Sequence, residues 1–284
     1  MQIKSEGVGF RYPGSPADCC ALKEVSLAAE AGEFVCLLGK TGSGKSTLLR
    51  TLAGFAKPSE GRVLLDGASV YEKKFDRSQL RKKIGLLFQY PEKQLFEETA
   101  ARDVVFGLKK LHLTGSETEK RTAEAMEAVG LSYGCLGEES PWALSGGQKR
   151  LLALAGVIAP KPELLLLDEP LAGLDAAARE QVLAVLHRLV RDGTGILMVT
   201  HDADAAAETA DRIVLMESGR IAAAGLPEEI FSDFELLETC GLGSCRAAEL
   251  SRILKEDFDL PDGIVRYEEL LHALVTLCKG GEGG

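Results

Sequence analysis

A glycine-rich loop constrains this chain more than any other feature of its sequence. It has the pattern G-x-x-x-x-G-K-[ST] and consists of Gly39, Lys40, Thr41, Gly42, Ser43, Gly44, Lys45 and Ser46. The apolar run 34–38 before it is typical of a buried strand, and a helix is predicted to follow from Ser46. A loop between a strand and a helix can wrap a phosphate group with its backbone amides, so the pattern predicts an α/β fold that binds phosphate.

Individual roles follow for the polar residues of this phosphate loop (residues 39–46). Lys45 is predicted to reach the β- and γ-phosphates of a nucleotide, and the Ser46 hydroxyl is predicted to ligate Mg²⁺. Thr47, the next residue, is counted with the phosphate-binding set. The alternative is a glycine-rich turn with an incidental lysine, a pattern that composition alone gives in roughly one chain in a hundred.

The remaining chain predicts a parallel sheet covered by helices. Further buried strands are predicted at 84–88, 164–167, 196–200 and 212–216, separated by stretches of helix length. Residues 91–159 differ in composition: they are rich in Ala, Glu and Leu, with helical spacing in 118–129 and 148–158. We expect this segment to be a helical insert.

Two acidic residues follow one of the predicted strands. Asp168 and Glu169 come directly after the leucine run 164–167, which places them at the carboxyl edge of the sheet where α/β folds bind ligands. Asp168 is predicted to hold Mg²⁺, and Glu169 is predicted to accept a proton from the water that attacks the γ-phosphate. The alternative is a strand end with two solvated acids.

A second glycine-containing loop opens a predicted helix inside the insert. It offers a hydroxyl and N-terminal amides to an anion, and it consists of Ser145, Gly146, Gly147 and Gln148. One nucleotide does not need two such loops from one chain. A two-fold dimer accounts for both, because each chain's serine-glycine loop can then cover the γ-phosphate held by the other chain.

These motifs, in this order and spacing, resemble those of the ATP-binding cassette (ABC) ATPases over roughly residues 1–226. The resemblance implies a P-loop NTPase with a mixed-sheet core, a helical subdomain at about 91–159, and a small C-terminal helical extension at 227–284. It also implies ATP and Mg²⁺ as cofactors and ATP hydrolysis coupled to transmembrane transport.

The resemblance also assigns roles to residues whose local sequence is less specific. Tyr12 resembles the aromatic residue that stacks on adenine, and Gln89 resembles the glutamine that senses Mg²⁺ and couples to the transport partner. Asp175 lies in a stretch that resembles the loop that communicates across the dimer, and His201 resembles the histidine that contacts the γ-phosphate. The alternatives are a surface aromatic for Tyr12, a strand-end amide for Gln89 and a helix-capping histidine for His201, while Asp175 is expected to cap a helix in addition.

The predicted site can therefore be given by role. The predicted catalytic residues are Lys45, Gln89, Glu169 and His201; the predicted metal ligands are Ser46, Gln89 and Asp168; and the predicted nucleotide-binding residues are Tyr12, Gly39, Lys40, Thr41, Gly42, Ser43, Gly44, Lys45, Ser46, Thr47, Ser145, Gly146, Gly147, Gln148 and Asp175.

Residues 88–99 narrow the resemblance to the energy-coupling factor (ECF) transporter ATPases, and to the second of their two paralogous ATPases. This similarity implies a second ATPase chain, either identical or paralogous, together with a transmembrane scaffold subunit and a substrate-binding membrane subunit. It further implies a peripheral location at the cytoplasmic face of the cell membrane and uptake of vitamins or metal ions. Leu95 and Phe96 are predicted to form an exposed apolar pair beside Glu97 and Glu98, suited to a short basic helix of a membrane partner.

Alternatives stay open for the 88–99 segment and for the chain as a whole. Residues 88–99 can instead be a loop that merely begins the insert. The chain can also be the ATPase of another type of importer, or a soluble cassette protein of DNA repair or translation, although such proteins usually carry tandem cassettes or long coiled-coil inserts. Ala176 departs from the family pattern, which often has proline there.

The C-terminal segment is predicted to carry an amphipathic helix. Its apolar residues recur at helical spacing and are Tyr267, Leu270, Leu271, Leu274, Val275 and Cys278. The resemblance implies that residues 227–284 form a dimerisation extension; a helical cap on the chain's own domain is the alternative. The last six residues are expected to be frayed.

Composition excludes several classes of protein. The net charge of −10 opposes nucleic acid as the main partner. The seven cysteines lack C-x-x-C spacing, which argues against a disulfide framework or a zinc site and fits a reducing cytosol. No run reaches the roughly 18 apolar residues that a membrane-spanning helix requires.

Overall fold

The computed structural model describes residues 1–14, 16 and 20–280, arranged as two sheets with helices around them. The strands are β1 (Gln2–Phe10), β2 (Leu22–Glu30), β3 (Phe34–Leu38), β4 (Glu60–Leu65), β5 (Ala68–Ser69), β6 (Ile84–Leu87), β7 (Leu164–Asp168), β8 (Gly195–Val199), β9 (Arg212–Glu217) and β10 (Arg220–Gly225). The helices are α1 (Lys45–Leu52), α2 (Arg77–Lys83), α3 (Ala100–Leu108), α4 (Gly115–Ala128), α5 (Tyr133–Leu136), α6 (Gly146–Ile158), α7 (Ala176–Arg191), α8 (Ala203–Thr209), α9 (Pro227–Ser232), α10 (Phe234–Thr239), α11 (Arg246–Leu254) and α12 (Tyr267–Gly280).

The central sheet has six strands in the order β10-β9-β3-β8-β7-β6. All neighbouring pairs are parallel except β10 with β9. Every residue of β3, β7 and β8 is buried, as expected for parallel strands covered on both faces. The five strands predicted from apolar runs are therefore confirmed, and their carboxyl ends share one edge of the sheet.

A second, antiparallel sheet has the strand order β2-β1-β4-β5. Its strands alternate between buried and open positions, with Ile3, Val25 and Val63 fully buried. These residues share a hydrophobic core with α1 and one face of the central sheet. The whole therefore has the mixed-sheet architecture that the resemblance implied.

The predicted helical insert is confirmed. Two 3₁₀ turns, at Pro91–Gln94 and Pro141–Ala143, and helices α3 to α6 occupy this part of the chain. Threonine or serine side chains cap the longer helices: Thr99 for α3, Thr114 for α4 and Ser145 for α6.

The C-terminal extension, described over residues 227–280, packs in two parts. Phe231, Leu237 and Cys240 belong to the main core of the domain and are at most 1% exposed. Beyond them, Leu260 and Leu270 lie in a separate small cluster with parts of α11 and α12. Four of the predicted apolar positions on α12 are exposed: Tyr267, Leu271, Val275 and Cys278.

Within the described residues, no helix is long and apolar enough to cross a membrane. The six cysteines among them, Cys20, Cys36, Cys135, Cys240, Cys245 and Cys278, are free. Cys19 and residues 281–284, most of the segment expected to be frayed, lie outside the described part.

Candidate active site

The phosphate loop joins β3 to α1, as predicted. Helix α1 begins at Lys45, one residue before the expected start, with Gly44 in the N-cap position at φ 106°. A Cβ on Gly39 would lie 2.3 Å from the carbonyl oxygen of Met216, and one on Gly44 would lie 2.5 Å from that of Ala21. The loop therefore packs closely against β9 and the start of β2, and only glycine fits at these two positions.

Lys45 lies within the curve of the phosphate loop. Its ammonium donates to the carbonyl oxygens of Gly39, at 2.6 Å, and Lys40, at 2.9 Å. Burial lowers the pKa of Lys45, while the nearby carboxylates of Glu169 and Asp168 oppose that shift. The positive charge of Lys45 therefore lies where the geometry of the loop favours a phosphate group.

Asp168 ends β7 beside the first turn of α1. Its Oδ1 accepts a hydrogen bond from the Ser46 hydroxyl at 3.1 Å, and the residue is only 4% exposed. Burial raises the pKa of Asp168, and the hydrogen bond from Ser46 partly counters that shift. A carboxylate and a hydroxyl converging at the mouth of a phosphate loop form an all-oxygen donor set, which fits the ligand preference of Mg²⁺.

Glu169 adopts φ 54°, a left-handed conformation that is uncommon for a residue with a side chain. Its amide donates to the carbonyl of Val199 at 2.9 Å, which ties the turn to the end of β8. Its Oε2 lies 2.9 Å from Nδ1 of His201. The backbone therefore directs the carboxylate of Glu169 to the carboxyl edge of the sheet, beside an exposed imidazole.

His201 does not cap the helix that follows it. The N-cap of α8 is Asp202, whose side chain accepts from the amide of Ala205 at 2.9 Å. The capping alternative for His201 is therefore wrong.

A cavity of about 350 Å³ joins the predicted residues of one half of the site. Tyr12 stands at its rim, with its hydroxyl 2.8 Å from the hydroxyl of Thr47 and its ring edge-on to Phe10. Gln89, exposed just beyond β6, lines the cavity together with Asp168 and Glu169. The lining residues are Tyr12, Ala21, Thr41, Gly42, Gly44, Lys45, Ser46, Thr47, Gln89, Asp168, Glu169 and Val199.

The serine-glycine loop lies elsewhere. Ser145 caps α6 through a reciprocal pair of bonds with Gln148: its Oγ accepts from the Gln148 amide at 3.2 Å, and its own amide donates to Gln148 Oε1 at 2.9 Å. Ser145 and Gly146 are exposed, and none of residues 145–148 is among the described residues that line the cavity. Asp175 likewise caps α7, accepting from the Ala178 amide at 2.8 Å, and does not line the cavity.

Comparisons with known proteins identify the family of the chain. The ABC transporter family model matches residues 22–172. The chain belongs to the ABC transporter family. The energy-coupling factor transporter ATP-binding protein EcfA2 of Clostridium perfringens is 42% identical over 282 residues, covering 98% of this chain and 99% of the relative. Its counterpart in Symbiobacterium thermophilum is also 42% identical, over 285 residues, covering 100% of this chain and 99% of the relative.

Solved structures give the same assignment. CbiO1 of Clostridium perfringens, part of the ABC transporter complex CbiONQ, aligns with a TM-score of 0.73 and 33% identity over 89% of this chain and 98% of that one. A dimeric ATP-binding cassette in a post-hydrolysis state, bound to ADP and phosphate, aligns with a TM-score of 0.70 and 31% identity over 79% of this chain and 98% of that one. This ABC ATPase is thus an ATP-binding subunit of the ECF type that hydrolyses ATP to drive transport, which confirms the resemblance to the second ECF paralogue.

One prediction about the 88–99 segment of this ABC ATPase is wrong. Leu95 is only 6% exposed and packs into the main core, so it does not form an exposed pair with Phe96. Phe96 is 57% exposed and instead stacks edge-on with Phe106 of α3, with ring centroids 4.8 Å apart. Phe96 therefore forms an exposed aromatic pair with Phe106.

Two residues near the serine-glycine loop were missed by sequence reasoning. Arg150 of α6 donates from Nε to the Glu92 carboxylate at 3.2 Å, which links this helix to the 88–99 segment. Trp142 lies three residues before Ser145 and is 65% exposed. No local sequence pattern signals the first contact, because its partners are 58 residues apart. A lone exposed tryptophan beside a functional loop could have been noted.

Proposed function

We propose that this ABC ATPase binds ATP with Mg²⁺ in the cavity of the phosphate loop and hydrolyses it only when a second ATPase chain covers that cavity. The observation that carries the proposal is the separation of Ser145 from the cavity. The N-terminus of α6 offers an exposed anion site that lies outside the cavity of its own chain. Such a site is explained if it binds the nucleotide held by the other chain.

The residues of one chain then divide the work. Tyr12 stacks on the adenine, the phosphate-loop amides and Lys45 hold the phosphates, and Ser46 and Asp168 hold Mg²⁺, with Gln89 beside them. When bound, Mg²⁺ neutralises charge on the phosphate oxygens. Glu169 accepts the proton of the attacking water. His201 orients that carboxylate and contacts the γ-phosphate.

The second chain supplies the rest of the site. Ser145, Gly146 and Gly147 grip the γ-phosphate from the opposite side, and Asp175 carries the state of one site to the other. Loss of the γ-phosphate removes the bridge, so hydrolysis separates the two chains.

The separation of the two ATPase chains drives a conformational change in a membrane partner. The relatives are named as ATP-binding proteins of ECF transporters, and the exposed Phe96–Phe106 pair suits an apolar helix face of a transmembrane scaffold. We assign this chain a peripheral position at the cytoplasmic face of the membrane. It acts there with a scaffold subunit and a substrate-binding subunit that takes up vitamins or metal ions. Exposed apolar residues of α12 suit contact between the extensions of the two ATPase chains.

Complementation between two inactive variants tests the composite site. Lys45→Ala disables the phosphate loop and Ser145→Arg disables the serine-glycine loop, so each variant alone is expected to lose ATPase activity. A mixed dimer restores one complete site only if the two loops belong to different chains.

We therefore expect activity to return on mixing, to at most about half that of the wild type. A double variant carrying both changes, mixed with wild-type chain at the same ratio, is the control for simple dilution. Where the partner is a paralogue, the two changes are divided between the two chains. Persistent inactivity of the correctly assembled mixed dimer would overturn the proposal.

A further inference from the structure

A largely buried ion pair joins helix α6 to the 88–99 segment. Nε of Arg150 donates to Oε2 of Glu92 at 3.2 Å, and Nη2 donates to Oε1 at 3.4 Å. The two side chains are only 11% and 24% exposed. Burial opposes ionisation of Glu92, but the hydrogen bonds from Arg150 hold the pKa of this carboxyl below its usual value. Both groups are therefore charged at neutral pH, and two bonds fix their relative orientation.

The third nitrogen of the guanidinium is buried without a partner. Nη1 of Arg150 finds no hydrogen-bond acceptor within the part of the chain that the structure describes. It faces the turn that precedes α7, because a Cβ built on Gly173 would lie 3.5 Å from it. A buried donor without an acceptor lowers stability, and an apolar pair of similar volume is generally at least as stable as a buried ion pair. Stability alone therefore does not account for an ion pair at this place.

Each partner of the pair is fixed in an element that has a part in the proposed function. Arg150 lies in α6, whose N-terminus is capped by Ser145. Glu92 lies in the 3₁₀ turn Pro91–Gln94, which is anchored by its own buried proline and by Leu95, a residue of the main core. The turn and the helix pack directly on each other, so no flexible segment lies between the two ends of the ion pair.

We propose that Arg150 is a positioning residue that ties the serine-glycine loop to the 88–99 segment. Apolar contacts between the turn and α6 are not directional, whereas the two bonds to Glu92 fix how the turn is oriented on the helix. When a second chain places its nucleotide on Ser145, the response of α6 then reaches the segment that carries Phe96. This inference rests on the proposed function and adds a connection within one chain between the composite site and the docking surface.

A purely structural ion pair makes a different prediction. Arg150→Met combined with Glu92→Leu removes both charges and leaves neither buried alone, so this double variant is expected to unfold at the same denaturant concentration as the wild type or a higher one. If the pair were only structural, a variant of undiminished stability would behave as the wild type in every other respect. The proposal instead requires that this stable variant loses the connection.

Hydrogen exchange measures the connection. The sample is the pair of ATPase chains, with the paralogue where that is the partner, assembled with a non-hydrolysable ATP analogue and Mg²⁺. The reporter is the amide of Lys93, which donates to the Tyr90 carbonyl at 3.0 Å within the turn. We expect assembly to slow exchange of this amide about fivefold in the wild type and less than about twofold in the double variant. Equal slowing in both proteins, or none in the wild type, would overturn the proposal.

Ser145→Arg separates the effect of the second chain from that of nucleotide in the same chain. Gln89 lines the cavity, so a nucleotide bound there can also act on the start of the 88–99 segment. Ser145→Arg leaves the cavity intact and prevents the second chain's nucleotide from reaching α6. The slowing at Lys93 should therefore disappear although the analogue still binds. Slowing that persists in this variant would refute the connection through α6.

Arg121→Met combined with Glu117→Leu is the matched control. Arg121 belongs to α4 of the same helical insert, and its Nε donates to the Glu117 carboxylate at 2.8 Å. This change removes an ion pair of the insert that does not involve the 88–99 segment. We expect the slowing at Lys93 to equal that of the wild type. Its loss in the control would indicate general loosening of the insert and contradict a specific role for Arg150.

Arg150→Lys supplies a second test that keeps the positive charge. An ammonium group cannot form the two-bond fork that the guanidinium makes with Glu92. We expect Arg150→Lys to lose most of the slowing at Lys93 while the paired chains still assemble. Slowing equal to that of the wild type would show that the orientation set by the fork is not needed, and the proposal would fail.

The same measurements distinguish this inference from the proposed function. Failure of the wild-type chains to assemble with the analogue and Mg²⁺ would refute the composite site and this inference with it. Assembly that slows exchange at Gln148, in the serine-glycine loop, but leaves Lys93 unchanged would refute only the tie made by Arg150.

Discussion

At the residue scale, Asp168 shows how a site that suits a cation can lower the stability of the chain when no cation is bound. Its carboxylate is almost fully buried, with a hydroxyl from Ser46 as its direct partner and the cation of Lys45 engaged by loop carbonyls. Burial raises the pKa of Asp168, which means that ionisation costs free energy in the folded state. Bound Mg²⁺ would remove that cost.

Asp168→Asn is therefore expected to stabilise the nucleotide-free protein at neutral pH. An Asp whose pKa is higher in the folded than in the unfolded state destabilises the fold above its unfolded pKa, and the penalty disappears as the pH falls through the folded value. The variant should gain free energy of unfolding relative to the wild type, and this gain should grow as the pH rises from about 3 through the raised pKa of Asp168 and stay constant above it.

Thermal denaturation of both proteins across that range, with and without Mg²⁺ and ATP, measures the effect. The variant should lose the stabilisation that Mg²⁺ with ATP gives the wild type. A stability difference that stays constant with pH, or that favours the wild type, would contradict the electrostatic origin.

Single residues were predictable where chemistry depends on local spacing. The glycine, lysine and serine positions of residues 39–46 and the Asp168–Glu169 pair could be placed because a strand, a turn and a helix dictate which atoms face a ligand. The hydrogen bond between Arg150 and Glu92 could not, because it depends on how chain segments 58 positions apart pack. Leu95 was placed wrongly because an apolar residue among charged neighbours gives the same pattern whether it points into the core or out.

At the scale of elements, helix N-termini carry much of the site. The side chains of Ser145, Asp175 and Asp202 cap α6, α7 and α8, and Gly44 opens α1. The three side chains each accept from a backbone amide in the first turn of the helix, and Ser145 and Asp175 are also predicted nucleotide-site residues. The same side chains are therefore expected to cap a helix and to act in the site, so a substitution has to distinguish the two roles.

Asp175 allows that separation. Asparagine caps a helix about as well as aspartate, whereas alanine costs about 1 kcal/mol. We expect Asp175→Ala to lower the stability of the chain by that amount, and Asp175→Asn to leave it nearly unchanged. If the carboxylate communicates across the dimer as proposed, Asp175→Asn should still lower steady-state ATPase activity several-fold.

Chemical denaturation and ATPase assays on the same preparations decide the point. Full activity of Asp175→Asn at unchanged stability would mean that Asp175 only caps α7 and does not communicate across the dimer.

On the scale of the whole molecule, apolar side chains are exposed at several places among the described residues. Two of these places bear on the proposed partners: the aromatic pair of Phe96 and Phe106, and the outer face of α12. Periodicity predicted that α12 is amphipathic, but burial of only part of its stripe depends on the small cluster beneath it. The antiparallel sheet of β1, β2, β4 and β5 was not assigned from the sequence, because its register is set by pairing between distant segments.

Phe96→Asp is expected to release a co-purifying membrane subunit while leaving ATP affinity unchanged. A carboxylate at this position breaks the aromatic pair and adds charge where an apolar surface would have to be desolvated. Phe258→Asp is the matched control, because Phe258 is 42% exposed and lies in the extension.

Co-purification from membranes, followed by measurement of ATP binding, checks both parts of this expectation. Retention of the membrane subunit by Phe96→Asp, or its equal loss with Phe258→Asp, would place the docking surface elsewhere. Leu95 is not a suitable target, since its burial means that substitution would disturb the core.

The exposed indole of Trp142 gives this ATPase a built-in optical probe. It is the single tryptophan of the chain, and it stands three residues from Ser145. If a second chain contacts Ser145, this contact must also change the polarity around the indole ring of Trp142. Emission spectra of unlabelled protein can therefore follow assembly and release through each catalytic cycle in real time, with no dye attached.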